Sequence, residues 1–429
     1  MDMYSIVKFI IALFAQVRLY LGGEPQPRTN VSVLPFAVVW NVPSAVCQDE
    51  FKVFLNLSKY GIIQNDNQSF FGENIVLFYE PFPGLYPKYL SNGSAINGGL
   101  PQKSNLEKHL RKVEYDVDRT IPAAEFSGLA VVDWESWRPI FDRNLYDKDQ
   151  VVYINKSEEL VKQHHPTWND PQIKRQARLE FETSARLLMN QTLWKARQIR
   201  KNGKWGFYGF PRCYNYRQGQ AHCANDTIQY NDELSWLFNA SSALLPSIYL
   251  DKDLFPSVED RALRVQGILR ESLRVRDSLR ESLQCKQCQH NETKPIYAYT
   301  RYWYRQKQFY ITPDLENTIG QSFDAGLDGV VVWDSSANFR NVTDCLSLGD
   351  YLDHTLGPYV NSINSFANEC HAQWCSGHGR CLRKAWPPTE SKEATDCQKH
   401  TDQQNRREFS MYRCVCSQPW TGEHCELQM

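Results

Sequence analysis

The stretch GLAVVDWESWRPIF, residues 128–141, decides how the chain is read. Its first half, Leu129 to Val132, is apolar at every position and then runs into Asp133, Trp134 and Glu135. A short run without polar alternation suits a strand buried on both faces of a parallel sheet. Six similar runs flank it: Leu34–Trp40, Ile75–Glu80, Trp205–Phe210, Pro246–Leu250, Ile296–Tyr302 and Gly329–Trp333. Helical patterns lie between them. The clearest opens at Asp170 with Pro171 in the first turn, repeats Ile173, Ala177, Phe181, Ala185, Leu188, Ala196 and Ile199, and stops at Asn202-Gly203. Strand–helix alternation over this length predicts an α/β fold, a (β/α) TIM-like barrel rather than an open doubly wound sheet. Seven runs leave room for a distorted, seven-stranded version.

The chain has 429 residues, enough for a barrel of about 250 residues or more plus a small module. Lys and Arg number 48 against 49 Asp and Glu, so no global basic field exists and nucleic acid is not expected as a partner. Mean hydropathy is −0.54, ordinary for a soluble globular protein. Twelve tryptophans suggest a surface that stacks flat ligands.

Residues 1–22 hold an apolar run, Phe9 to Val17, preceded by Lys8, and read as a secretory signal peptide. That run is too short to span a bilayer comfortably, and no later segment approaches the roughly 20 apolar residues a spanning helix needs. Sequons begin at Asn30, Asn56, Asn67, Asn92, Asn155, Asn190, Asn225, Asn239, Asn291 and Asn341, and such a number supports glycosylation in a secreted, extracellular or lysosomal protein. Of thirteen cysteines, eight fall between Cys345 and Cys425. Clustering of this kind outside the cytosol reads as a disulfide framework. Three segments follow: 1–22 as leader, 23–364 as catalytic barrel and 365–429 as a disulfide-rich module. Cys285-x-x-Cys288 lacks a second pair of zinc ligands nearby, so a local disulfide is preferred there. The repeated LRESL at 269–273 and 279–283 reads as a charged, solvated helix face.

In a barrel the active site forms where strands end at their C-terminal edge. Asp133 and Glu135 stand at such an end, two positions apart, so both are expected to face one cavity. Neighbouring like charges raise the proton affinity of one carboxyl. A carboxyl still protonated near working pH is what a glycosidase general acid requires. Trp134 and Trp137 frame the pair and favour this reading over two carboxylates on a solvated loop.

The same stretch resembles the catalytic signature of the hyaluronidase family, animal endo-β-N-acetylhexosaminidases that cut hyaluronan. Further similar segments are VVWNVPSAVC (38–47), FYEP (78–81), WGFYGFPRCYNY (205–216), NDELSWLF (231–238), LLPSIYL (244–250) and GVVVWDSSANFRNVTDC (329–345). The resemblance implies that Glu135 is the general acid and Asp133 the carboxylate bonded to it. It implies that Tyr208 holds the substrate's acetamido group and that Tyr249 and Trp333 line the same pocket. Tyr79, Arg138 and Asn231 are implied as contacts to the sugar chain. It also implies disulfides Cys47–Cys345 and Cys213–Cys223. The ending CVCSQPWTGEHC resembles an epidermal-growth-factor-like module, which implies Cys370–Cys381, Cys375–Cys414 and Cys416–Cys425 and offers a surface for a protein partner. Cys397 is left unassigned. Arg212 departs from the acidic residue that many mammalian relatives carry before the cysteine of the GFPxCYNY stretch.

Taken together, the expected function is hydrolysis of hyaluronan, with chondroitin as a further glycosaminoglycan. With Asp133 and Glu135 on one strand, no second carboxylate is placed to attack the opposite face of the sugar, except Glu80, which falls among the sugar-binding matches. The substrate's own acetamido oxygen is then the nucleophile. No cofactor and no metal are expected. The alternative is a non-catalytic glycosaminoglycan-binding or adhesion protein on the same fold, although a lectin has no need of a proton donor. Serine-hydrolase, nucleotide and zinc-protease motifs do not occur.

Overall fold

A computed structural model of the chain describes residues 34–282, 293–304, 308–387 and 407–429. The leader, Asn30, Asn291, Cys285, Cys288 and Cys397 lie outside the described residues.

Seven parallel strands form the barrel wall: β1 (Ala37–Asn41), β2 (Ile63–Gln64), β3 (Ile75–Tyr79), β4 (Leu129–Asp133), β5 (Lys204–Phe207), β6 (Tyr297–Thr300) and β7 (Gly329–Trp333). The ladders run β2-β1-β7-β6 and β3-β4-β5, so the last strand pairs with the first. Between β5 and β6 the wall is completed by single bridges, Tyr208 to Leu245, Leu244 to Ile296 and Ser247 to Tyr299. The run expected at Pro246–Leu250 is therefore an irregular segment shifted toward Leu244. Between β2 and β3 the seam is made by side-chain amides. Asn65 Nδ2 donates to the Ile75 carbonyl at 2.7 Å, its Oδ1 accepts from the Ile75 N–H at 3.0 Å, and Asn74 Nδ2 donates to Gln64 at 2.7 Å. An amide side chain presents the same donor and acceptor as a peptide group, so it can stand in where the strands do not meet. Neither β2 nor this seam was visible as an apolar run.

The period of two along each strand sorts the residues into a lumen and an outer shell. Ala37, Val39, Ile63, Ile75, Leu77, Leu129, Val131, Ala243, Leu245, Tyr297, Tyr299 and Val331 fill the lumen. Val38, Trp40, Val76, Phe78, Ala130, Val132, Trp205, Phe207, Ile296, Ala298, Val330 and Val332 face the helices. Those helices include α1 (Leu106–Thr120), α2 (Val151–His164), α3 (Asp170–Ile199), α4 (Asn225–Glu233), α5 (Val258–Ser282), α6 (Val342–Tyr351) and α7 (Gly357–Glu369). Helix α3 begins as its sequence reads. Asn169 caps it in a reciprocal box with Gln172, an arrangement worth about 1 kcal/mol, and Ile173, Ala177, Phe181, Ala185, Leu188 and Ala196 are buried.

Two expectations fail here. Leu269, Glu271 and Ser272 of the first LRESL copy are buried, so α5 does not present that repeat to solvent. Only the second copy ends in exposed charge, at Arg280 and Glu281. Five tryptophans, Trp40, Trp134, Trp137, Trp205 and Trp303, are buried, and six others are half-buried. Trp194, at 51% exposure, is the one tryptophan among the large exposed hydrophobic residues described.

Disulfides join Cys47 to Cys345 and Cys213 to Cys223, the first linking the segments that follow β1 and β7 with Cα atoms 5.5 Å apart. The C-terminal module is held by Cys370–Cys381, Cys375–Cys414 and Cys416–Cys425. Its hairpin pairs β8 (Gly379–Arg383) with β9 (Tyr412–Cys416). The module docks on the N-terminal end of the barrel. Arg380 bonds Asp328, one residue ahead of β7, and Asp324 accepts from Arg383, Arg407 and the Tyr412 hydroxyl. Among the described residues, no helix is long and apolar enough to cross a membrane.

Candidate active site

At the C-terminal end of the lumen the side chains change from aliphatic to polar and aromatic. Continuing the inward parity of each strand gives Asn41, Tyr79, Asp133, Tyr208, Ser247 and Trp333 as one layer, with Tyr79 in register with Asp133 and Asn41 with Trp333. The turn after β4 carries Glu135, whose side chain is half exposed.

Asp133 is the buried member of the pair. Burial pushes its carboxyl well above the usual carboxylate range, and the charges of Glu135 and Glu80 push the same way against Arg212 and Arg138. Its Oδ1 is buried with no hydrogen-bond partner among the described residues. The arrangement therefore favours the protonated form of Asp133 beneath an accessible Glu135, whose charge is one of the causes.

Glu80 spends both carboxylate oxygens on protein donors. Its Oε1 accepts the backbone N–H groups of Glu135 and Ser136 at 2.7 and 2.8 Å, while Oε2 accepts from the Ser136 hydroxyl and Lys88 Nζ, both at 2.7 Å. Four bonds saturate the carboxylate and fix the turn that presents Glu135. The signal was present in the sequence: Glu80 ends the apolar run neighbouring β4, level with the catalytic turn.

The aromatic wall is continuous. Trp333 Nε1 donates to the Tyr79 hydroxyl at 2.6 Å, Trp333 stacks on Tyr249 with centroids 6.0 Å apart, and Tyr249 lies 6.2 Å from Tyr208. The Tyr208 hydroxyl donates to Ser247 at 3.2 Å, and its ring rests edge-on against Tyr299 at 5.0 Å. Burial raises the proton affinity of Tyr208 and Tyr249, so both remain neutral hydroxyls able to donate. Ser247 and Asn41 went unnoticed in the sequence. The amide of Asn41 is fully buried at this level with no partner among the described residues.

Arg138 lies beside the cleft, with Nη1 on the Glu135 carbonyl at 3.0 Å and its backbone N–H on Asn144 at 2.7 Å. Asn231 lines a small cavity together with Arg138, Arg212 and Tyr214. It is buried on α4, and its amide nitrogen is spent on the Arg212 carbonyl at 2.7 Å and on Glu271 at 2.8 Å. Trp134 and Trp137 likewise turn away. They stack against Tyr86 at 4.6 and 5.2 Å and donate to the Phe82 and Pro87 carbonyls, which makes them supports of the turn rather than sugar platforms. Cys370, Cys375 and Cys381 lie close enough together for a metal, but each is in a disulfide.

Comparison with known proteins agrees with this geometry. A family model described as hyaluronidase matches residues 25–429. The chain is 35% identical to rat hyaluronidase-2 over 421 residues, covering 91% of this chain and 86% of that protein. It is 36% identical to human hyaluronidase-1 over 359 residues, covering 82% and 80%. Among solved structures, bee venom hyaluronidase in complex with a hyaluronic acid tetramer superposes with a TM-score of 0.69 at 36% identity, covering 76% of this chain and 99% of that one. The chain belongs to the hyaluronidase family of glycoside hydrolases.

Proposed function

We propose that the chain is a secreted hyaluronidase that hydrolyses the β-1,4 bond between N-acetylglucosamine and glucuronate in hyaluronan, and that chondroitin is accepted by the same cleft. Glu135 gives a proton to the leaving oxygen and later recovers one from water. Protonated Asp133 holds Glu135 and stabilises the carboxylate that forms after each donation. Tyr208, on Ser247, orients the acetamido group, whose oxygen closes on the anomeric carbon. Tyr249, Trp333 and Tyr79 form the apolar face against which the sugar lies, and Arg138 stands at its edge.

One observation carries the mechanism. Of the three carboxylates gathered at the ends of β3 and β4, Glu80 is saturated by four protein donors and Asp133 has one oxygen buried and its proton affinity raised, so Glu135 is the one most open to solvent. No enzyme carboxylate in this group is free to act as nucleophile, which favours participation by the substrate. Secretion is supported by the disulfides and by the exposure of Asn56, Asn67, Asn92 and Asn341 within their sequons. Proton NMR of the first-formed reducing end tests the reading. A β anomer and a saturated uronic acid are expected. An α anomer, or a product absorbing in the ultraviolet as an unsaturated uronate, would overturn it.

A further inference from the structure

Arg212 sits in the turn after β5, four residues beyond Tyr208. Its Nη2 lies 3.9 Å from Oε1 of Glu135, and its Nε is buried with no hydrogen-bond partner among the described residues. The guanidinium is set against the rings of Phe210 and Tyr214, at 5.1 and 6.0 Å. Gly209, at φ +81°, makes the space: a Cβ there would approach Nη2 to 3.0 Å. The main chain of Arg212 is clamped from the opposite side. Asn231 donates to its carbonyl at 2.7 Å and accepts from its N–H at 3.4 Å, and Asn231 is itself held by Glu271 on α5. So much support places a cation with an unspent donor beside the proton donor. A buried donor without a partner is costly, and an incoming anion would offset that cost.

We propose that Arg212 is a specificity-determining residue that receives the carboxylate of the uronic acid on the leaving side of the scissile bond. This rests on the reading of Glu135 as proton donor to that bond. The oxygen that takes the proton sits on C4 of the uronic acid, and the carboxylate hangs from the adjacent C5. The carboxylate carbon is therefore only three bonds from the atom Glu135 must touch, and a cation beside Glu135 is within its reach. The planar fork of an arginine matches a carboxylate in two-point contact. The neighbouring cations are committed: Arg138 Nη1 to the Glu135 carbonyl, and Lys88 to Glu80.

The test compares hyaluronan with the same polymer after its carboxylates have been reduced to primary alcohols, using the full-length wild type, Arg212→Gln and Arg212→Lys. A charged pair of this kind is worth roughly 10- to 100-fold. The wild type is expected to prefer hyaluronan over the reduced polymer. Arg212→Gln should lose about 10- to 100-fold of kcat/KM on hyaluronan and little on the reduced polymer, so that the preference collapses. Arg212→Lys, which keeps the charge without the fork, should keep part of it. Equal losses on both polymers, with the pH profile of kcat displaced, would mean that Arg212 acts through Glu135 instead and would overturn the proposal. Unchanged kinetics in both variants would overturn it as well. Wild-type cleavage of hyaluronan reports separately on the enzyme reading, and its absence would overturn both.

Discussion

The two ends of the barrel use the same residue types in opposite ways. At the N-terminal end, acid, arginine and tyrosine satisfy one another. Asp324 takes three donors from the C-terminal module, and Glu316 takes Arg407 at 2.7 Å and the Tyr359 hydroxyl at 2.6 Å. At the C-terminal end, Asp133 Oδ1, the Asn41 amide, the Tyr299 hydroxyl and Arg212 Nε are buried without partners among the described residues. Saturated polar groups hold a structure together, whereas buried unsatisfied ones cost stability and are retained where a ligand or a proton will meet them. Four such groups gather at the end where the acidic turn stands.

This contrast can be broken most severely at Glu135. Glu135→Gln removes the only exposed carboxyl of the group, and an amide cannot donate the proton. Turnover should fall by about 10²–10⁴-fold while the thermal midpoint stays within error of wild type. Retention of a tenth of the rate in a zymogram or reducing-end assay would defeat the assignment.

The opposite end should answer with stability instead. Asp324→Ala leaves Arg383, Arg407 and Tyr412 without their shared acceptor, and breaking a buried charge network costs about 3–5 kcal/mol. Denaturant melts should show that loss, while kcat per folded molecule remains unchanged. It follows that removing the whole module would expose Asp324 and Glu316 before it touched the cleft. A fall in kcat at unaltered stability would contradict the division between the two ends.

Asp133→Asn sharpens the comparison, because one residue should move both quantities. Activity should drop by roughly 10- to 100-fold, less than at Glu135, since the donor remains. The folded carboxyl binds its proton more tightly than the unfolded one. Wild-type stability from this group is therefore complete below the ordinary carboxylate value of 3.8 and is lost as pH rises above it. The Asn variant, which cannot ionise, should gain relative stability with rising pH, and the alkaline limb of the activity profile should shift. A constant stability difference across that range would sink the buried-proton reading.

Much of this architecture was legible in the chain. The runs at 34–40, 75–80, 129–134, 205–210, 296–302 and 329–333 fall on β1, β3, β4, β5, β6 and β7, because strands covered on both faces must be apolar throughout. The acidic turn was legible because strand ends are where a barrel places its site, whereas Tyr208, Tyr249 and Trp333 were singled out by the family resemblance. What escaped were the residues whose role depends on a distant partner. Nothing local distinguishes Asn65 closing a seam, or Glu271 holding the Asn231 amide that clamps Arg212, from ordinary polar positions.

The sequence by itself determined which segments are buried, where the barrel strands end and which acids stand at those ends, because apolar patterning and position along a strand are local properties. Only the tertiary structure decided which of those acids is free. Glu80, Asp133 and Glu135 are all plain carboxylic acids in the chain, and their roles diverge because one meets four donors, one turns an unpartnered oxygen into the interior and one is left at the rim. A carboxyl's proton affinity and reach are set by neighbours brought from tens of residues away, and those neighbours assemble only once the barrel has formed.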